Sequence, residues 1–104
     1  MINTFESVKV LKVGKVESLD TDFAPASGKA FHVFIRPLAG ADNDAGEIVA
    51  IKAKPVKNDQ PTEVPIVLGD WNPVLLQSIA ANANTDTDID LNTYSVYYSE
   101  IDNY

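Results

Sequence analysis

The side chains of this 104-residue chain that could do chemistry are mostly carboxylates. It contains fifteen Asp and Glu residues, one histidine and no cysteine. Without cysteine there is no thiolate metal site and no cysteine nucleophile. His32 alone cannot supply a multi-histidine metal site or an alternative base for a Ser/His/Asp triad. Because it lies beside Phe31 and Phe34 in a β-forming run, we interpret it as structural or surface-exposed.

Paired carboxylates can hydrolyse glycosides, but their separation in space decides this, and the sequence selects no pair. The five glycines stand apart, so no phosphate-binding loop of the GxxxxGK[ST] or GxGxxG type is present. We therefore predict no catalytic and no cofactor-binding residue, and a protein that is not an enzyme.

Alternating aspartates at Asp86, Asp88 and Asp90 resemble the start of a calcium-binding loop. An EF-hand continues with glycine at its sixth position and glutamate at its twelfth, where this chain has Leu91 and Tyr97. The match is therefore incomplete.

A second acidic segment at residues 42–47 also fails on spacing, and a loose calcium site built from both loops stays open as an alternative. Solvated acidic turns are the default interpretation, because Asp and Asn close turns with their own side chains. We predict no metal site.

Trp71 is the only tryptophan and lies in the turn-like segment Gly69-Asp-Trp-Asn-Pro73. Burying it would remove roughly 200 Å² from water, which is worth about 5 kcal/mol as an upper bound and favours a core position. Turns lie on surfaces, however, and an exposed tryptophan suits a subunit interface or sugar stacking. All three interpretations stay open at this point.

The elements that must position these residues are short strands. Runs of β-branched and aromatic residues alternate with clusters of Gly, Pro, Asn and Asp, which is typical of all-β proteins. We predict strands within residues 5–16, 29–36, 47–54, 63–68, 74–83 and 93–101. The pattern predicts one domain over residues 1–104, a small β-sandwich or jelly-roll-like barrel of six to eight short, mainly antiparallel strands.

Two prolines refine this prediction. Pro65 indicates an edge strand or a bulge, because proline cannot donate a ladder hydrogen bond. Pro73 after Asn72 could instead begin a helix over residues 74–83, although alternation of apolar residues there favours a strand.

The chain is acidic, with a net charge of −7 that is unevenly distributed. All eight basic residues lie at or before Lys57 together with seven acids, and eight acids with no base follow. Such a chain repels nucleic-acid phosphates, so we expect no nucleic-acid partner, and we interpret Lys9, Lys12 and Lys15 as protecting a strand edge. The charge separation favours head-to-tail oligomers.

No signal peptide and no apolar run of about 18 residues is present, so we expect a soluble protein without a membrane partner.

The Val64–Pro73 segment, the apolar run to Ile79 and the terminal Tyr94-Ser-Val-Tyr-Tyr-Ser99 together resemble small structural proteins of tailed bacteriophages and prophages. These are head-decoration, fibre-base or tail-attached proteins. The resemblance implies a virion component that is assembled in the bacterial host cytoplasm. It also implies partners: further copies of itself, as a homo-oligomer such as a trimer, and other virion proteins.

We therefore expect a non-enzymatic virion structural protein that self-associates through β-edges and apolar surface. The residues expected near contacts are Phe34, Trp71, Pro73 and Tyr97. Phe34 and Tyr97 are chosen because each lies opposite the main apolar stripe of its strand. The alternative is a carbohydrate-binding β-sandwich module that uses Trp71 and the C-terminal tyrosines for sugar stacking.

Overall fold

The computed structural model describes residues 13–82 and 89–101. Within these ranges the regular elements are β-strands, and there is no α-helix. The strands are β1 (Val13–Lys15), β2 (Phe31–Pro37), β3 (Ile48–Pro55), β4 (Thr62–Val67), β5 (Leu76–Ile79) and β6 (Tyr94–Glu100). Lys9, Lys12, Asp86 and Asp88, on which parts of the sequence interpretation rest, lie outside the described residues.

The six strands form one antiparallel sheet in the order β1-β6-β2-β5-β3-β4. The prediction of a small all-β fold with mainly antiparallel strands is therefore confirmed. β4 ends the order, so the edge position predicted from Pro65 is also confirmed. β5 is shorter than the predicted segment 74–83, and the helix considered there is wrong.

The core lies on one face of each strand. In β2, Phe31, Val33 and Ile35 are fully buried, as their alternation predicts, whereas the residues between them are more exposed. The remaining strands and loops contribute the other buried apolar side chains: Val16, Leu19, Ile51, Ala53, Val64, Ile66, Leu68, Leu76, Ile79, Ile89 and Val96. Val16, directly after β1, and Val64 and Ile66 of β4 belong to this cluster, so both ends of the sheet border one core.

Tyr98 anchors the short strand β1 to this core. Its ring lies 4.9 Å from that of Phe23 and 5.9 Å from that of Phe31, measured between centroids. Gly14 pairs directly with Tyr98 across the ladder. A Cβ atom at position 14 would come within 2.5 Å of the Tyr98 ring. Glycine is needed here because the ring crosses the β1 backbone at this point.

We predict that Gly14→Ala destabilises the protein by about 1–3 kcal/mol, the usual cost of overpacking. The ring cannot move away freely, since it would lose its contacts with Phe23 and Phe31. Urea unfolding followed by circular dichroism measures the change in the free energy of unfolding.

The double variant Gly14→Ala/Tyr98→Leu is the control. Leucine removes the ring atoms that the new methyl group meets, so the alanine substitution should cost less in the Tyr98→Leu background than in the parent. An equal cost in both backgrounds would show that the Tyr98 ring is not the reason for glycine at this position.

Candidate interaction surface

The corner at residues 69–73 leads from β4 toward β5 and runs alongside β2. Gly69 has φ +83°, a conformation that glycine adopts without strain and that turns the chain out of β4. Its N–H then donates to the Ile35 carbonyl at 2.8 Å, and the Asn72 N–H donates to the Val33 carbonyl at 3.1 Å. The corner therefore continues along β2, on the side that β6 leaves open.

The side chain of Asn72 holds this corner in place. It is 5% exposed, and its Oδ1 accepts the Val67 N–H at 2.9 Å. Its Nδ2 donates to the carbonyls of Val67 and Val33, each at 3.2 Å, and of Asp70 at 3.1 Å. One amide thus links the end of β4 to the middle of β2, where no strand lies between them.

These bonds also block most of the outer edge of β4. Leu68 exchanges backbone hydrogen bonds with residues 46–47. Every second residue before it therefore also directs its backbone N–H and C=O groups toward β3. The open edge of β4 therefore carries the backbone groups of Val67, Pro65 and Glu63. Asn72 occupies both backbone groups of Val67, and Pro65 has no N–H, which leaves Glu63 as the one outward N–H donor of these three. Addition of another strand at this edge is disfavoured.

Trp71 points away from the core. It is 44% exposed and pairs with Phe34 through an isolated antiparallel bridge. Phe34 pairs in turn with Tyr97 of β6. The ring centroids are 5.4 Å apart for Phe34 and Trp71 and 6.3 Å apart for Phe34 and Tyr97. We call Trp71, Phe34 and Tyr97 the aromatic row.

Three of the four residues predicted near contacts are therefore neighbours on one outer face. The fourth, Pro73, is exposed and lies two residues beyond Trp71, but no ring contact connects it to the aromatic row. A core position for Trp71 is excluded. Lys15, the ladder partner of Tyr97, and Arg36 of β2 are exposed beside the row, and neither makes an ion pair with another described residue.

Two further tyrosines have a different place from Tyr97. Tyr94 and Tyr98 are partly buried against the core, and the Tyr94 hydroxyl donates to Asn43 Oδ1 at 3.2 Å. Among the described C-terminal tyrosines, only Tyr97 shares a face with Trp71. The idea that these tyrosines form a sugar-stacking surface as a group is wrong for Tyr94 and Tyr98.

Of the two acidic segments considered for calcium, the structure brings Asp90 together with the start of the 42–47 segment. Asp42, Asn43 and Asp90 line one pocket of about 280 Å³ with Tyr94. Across the described residues, no group of three or more His, Cys, Asp or Glu side chains is placed to hold a metal ion. His32 is partly buried, and its Nδ1 lies 3.2 Å from the Val74 carbonyl, which fits a structural role.

The structure also reveals two features that the sequence interpretation missed. From the sequence, Asn72 has no role of its own beyond preceding a possible helix start at Pro73, although a polar residue between two strands is a signal for a side chain that bonds to backbone. The meeting of Phe34, Trp71 and Tyr97 depends on strand register, which the sequence does not give.

A scan of family models, a search of curated proteins and a search of solved structures each found no match to this chain. The described part of the chain has no helix of the length and apolarity that crossing a membrane requires.

We predict that Asn72→Ala lowers the free energy of unfolding by about 2–4 kcal/mol, because it leaves the partly buried N–H and carbonyl of Val67 without their side-chain partner and removes one of the two donors to the Val33 carbonyl. Chemical unfolding measures the loss. Since Trp71 is the only tryptophan, its fluorescence should shift as the corner loosens.

The matched control is Asn58→Ala, an exposed asparagine in the turn between β3 and β4. It should change stability by no more than about 0.5 kcal/mol. Equal effects of the two substitutions would show that the Asn72 side chain does not act as a clamp between β4 and β2.

Proposed function

We propose that this chain is a non-enzymatic structural protein of a virion, a head-decoration, head-fibre or tail-associated component. It acts by self-association and by packing against other virion proteins. The observation that carries the structural role is the aromatic row on the outer sheet face, in which Trp71 is exposed and Phe34 and Tyr97 are partly exposed. The assignment to a virion rests on the resemblance of the Val64–Ser99 region to small phage structural proteins.

The row has the properties of a protein contact. Trp and Tyr are enriched in interface cores, where they bury large area at low cost in side-chain entropy. Backbone pairing fixes Trp71 and Tyr97 on both sides of Phe34, so little order has to be gained on binding. Lys15 and Arg36 beside the row supply the charged rim that interfaces commonly have.

The shape of the row favours a protein partner over a sugar. The ring planes of Phe34 and Trp71 are inclined at 59° and those of Phe34 and Tyr97 at 69°. The three rings therefore form a ridge with edges and gaps, which side chains can interdigitate with. A sugar would instead stack on one flat ring face.

Carbohydrate binding is the second candidate, and the exposed indole of Trp71 is the observation that favours it. On this alternative the binding surface consists of Trp71 and Tyr97, without Tyr94 or Tyr98. The protein would then bind glycans as a monomer.

We predict that Trp71→Ala weakens self-association at least about 30-fold, the effect of losing an interface residue worth 2 kcal/mol. Monomer stability should fall much less, because the indole is half exposed. Sedimentation velocity over a concentration series measures association, and thermal unfolding of the dilute protein measures stability.

Gln60→Ala, at an exposed position in the β3–β4 turn, is the control and should assemble like the parent. Glycan-array binding by a monomeric parent, lost in Trp71→Ala, would replace the structural role with the carbohydrate-binding one. Equal losses of assembly and monomer stability in Trp71→Ala would show that the indole mainly supports the fold.

A further inference from the structure

A second exposed apolar surface lies on the outer face of β3 and β4. Ile48 pairs with Val67, and Ala50 pairs with Pro65, so these four side chains form two adjacent cross-strand pairs. Ile48 is 66% exposed and Pro65 is also exposed, whereas Val67 and Ala50 are partly covered. We call these four residues the aliphatic patch. It contains no aromatic ring, and the next pair along the ladder, Lys52 with Glu63, ends it with charged side chains.

The two surfaces have opposite charge at their borders. Asp44 and Glu47 are exposed at the start of β3, immediately before Ile48. The aromatic row instead has Lys15 and Arg36 beside it, both exposed. The border of the row is therefore basic beside β1 and β2. At the Trp71 end it carries one acid, Asp70.

We propose that the aromatic row of one copy binds the aliphatic patch of a second copy, with Arg36 facing the Asp44 and Glu47 carboxylates. This inference rests on the proposed self-association and names its two surfaces. The ridge of rings supplies projecting groups and the flat pairs of aliphatic side chains supply a surface for them. The charged borders then fix the orientation of the two copies. They also suppress contact of row with row and of patch with patch.

A second copy is the favoured occupant because each surface supplies what the other lacks. Pairing of row with row would bring Arg36 and Lys15 of both copies together, and pairing of patch with patch would do the same for Asp44 and Glu47. Strand addition at β4 is disfavoured because Asn72 and Pro65 block that edge. At the β3–β4 end of the sheet, contact through the outer face is therefore favoured over strand addition.

Such a contact is heterologous, because it joins two different surfaces of the same protein. Each copy keeps one unused row or patch after binding, so association continues until a ring closes or an open stack forms. A two-fold dimer is not expected.

The test uses Trp71→Asp, which damages the row, and Ile48→Asp, which damages the patch. Each variant alone should lose assembly at concentrations where the parent assembles, with an apparent Kd raised at least about 30-fold. An equimolar mixture should form a one-to-one dimer and nothing larger, because one intact row and one intact patch remain. The two damaged surfaces carry like charge and cannot rescue each other.

Both substitutions lie at exposed positions, and circular dichroism with thermal unfolding checks that each variant is folded. A second pair, Arg36→Glu and Glu47→Arg, tests the charged border without touching the apolar groups. Each should weaken association several-fold, and the double variant should recover it. If Ile48→Asp does not fold, this pair decides the outcome.

Parent-like assembly of Ile48→Asp, or a mixture without a dimer, would overturn the proposed pairing. If Trp71→Asp abolishes assembly and Ile48→Asp does not, the pairing is wrong while the structural role of the row stands. A parent protein that remains monomeric at every concentration would overturn both the pairing and the proposed self-association.

Discussion

The structure depends on the hydrogen bonds of one buried amide. Asn72 joins the outer edge of β4 to the open side of β2, two backbones that no strand connects. Hydrogen-bonding groups at such a gap are costly when buried without partners, and the amide supplies both donor and acceptor there. Its geometry matches that of a peptide group, so a single side chain substitutes for a short piece of strand.

The same corner determines what the protein shows to its surroundings. Neighbouring residues of an extended chain point to opposite sides, so holding Asn72 inward places Trp71 outward. Phe34 and Tyr97 extend the exposed indole across β2 and β6 by ladder pairing. Interior order and surface chemistry are therefore set by adjacent residues, and loss of the amide would disturb the row as well as the fold.

Much of the fold could be predicted from local sequence pattern. Alternation in β2 identified Phe31, Val33 and Ile35 as core and Phe34 as outward, because period-two patterning follows directly from strand geometry. Pro65 identified an edge strand because proline lacks a donor. Residues 74–83 were harder, since Pro73 suits both a helix start and an extended corner, and tertiary pairing, mainly with β3 and at Leu76 also with β2, decided between them.

The candidate site was predictable in its members and not in its arrangement. The place of Phe34 and Tyr97 on the outer face, where both are partly exposed, followed from their positions opposite the core stripe. Phe34 is sixty-three residues from Tyr97 and thirty-seven from Trp71, so its two ring contacts depend on long-range backbone register, for which no local signal exists. Tyr97 and Tyr98 look alike in sequence, yet one faces outward and the other crosses Gly14, because they alternate along β6.

The position of the Asn72 clamp also has a consequence for the order in which the chain folds. β3 and β4 are joined by a six-residue turn, so their pairing closes a short loop and costs little entropy. The clamp instead links Val67 to Val33, across thirty-three intervening residues, and needs β2 already in place. We therefore expect the β3–β4 hairpin to form early and the corner to close late. Weakening the amide should then speed unfolding while leaving the folding rate almost unchanged, so the clamp sets how long the native state persists.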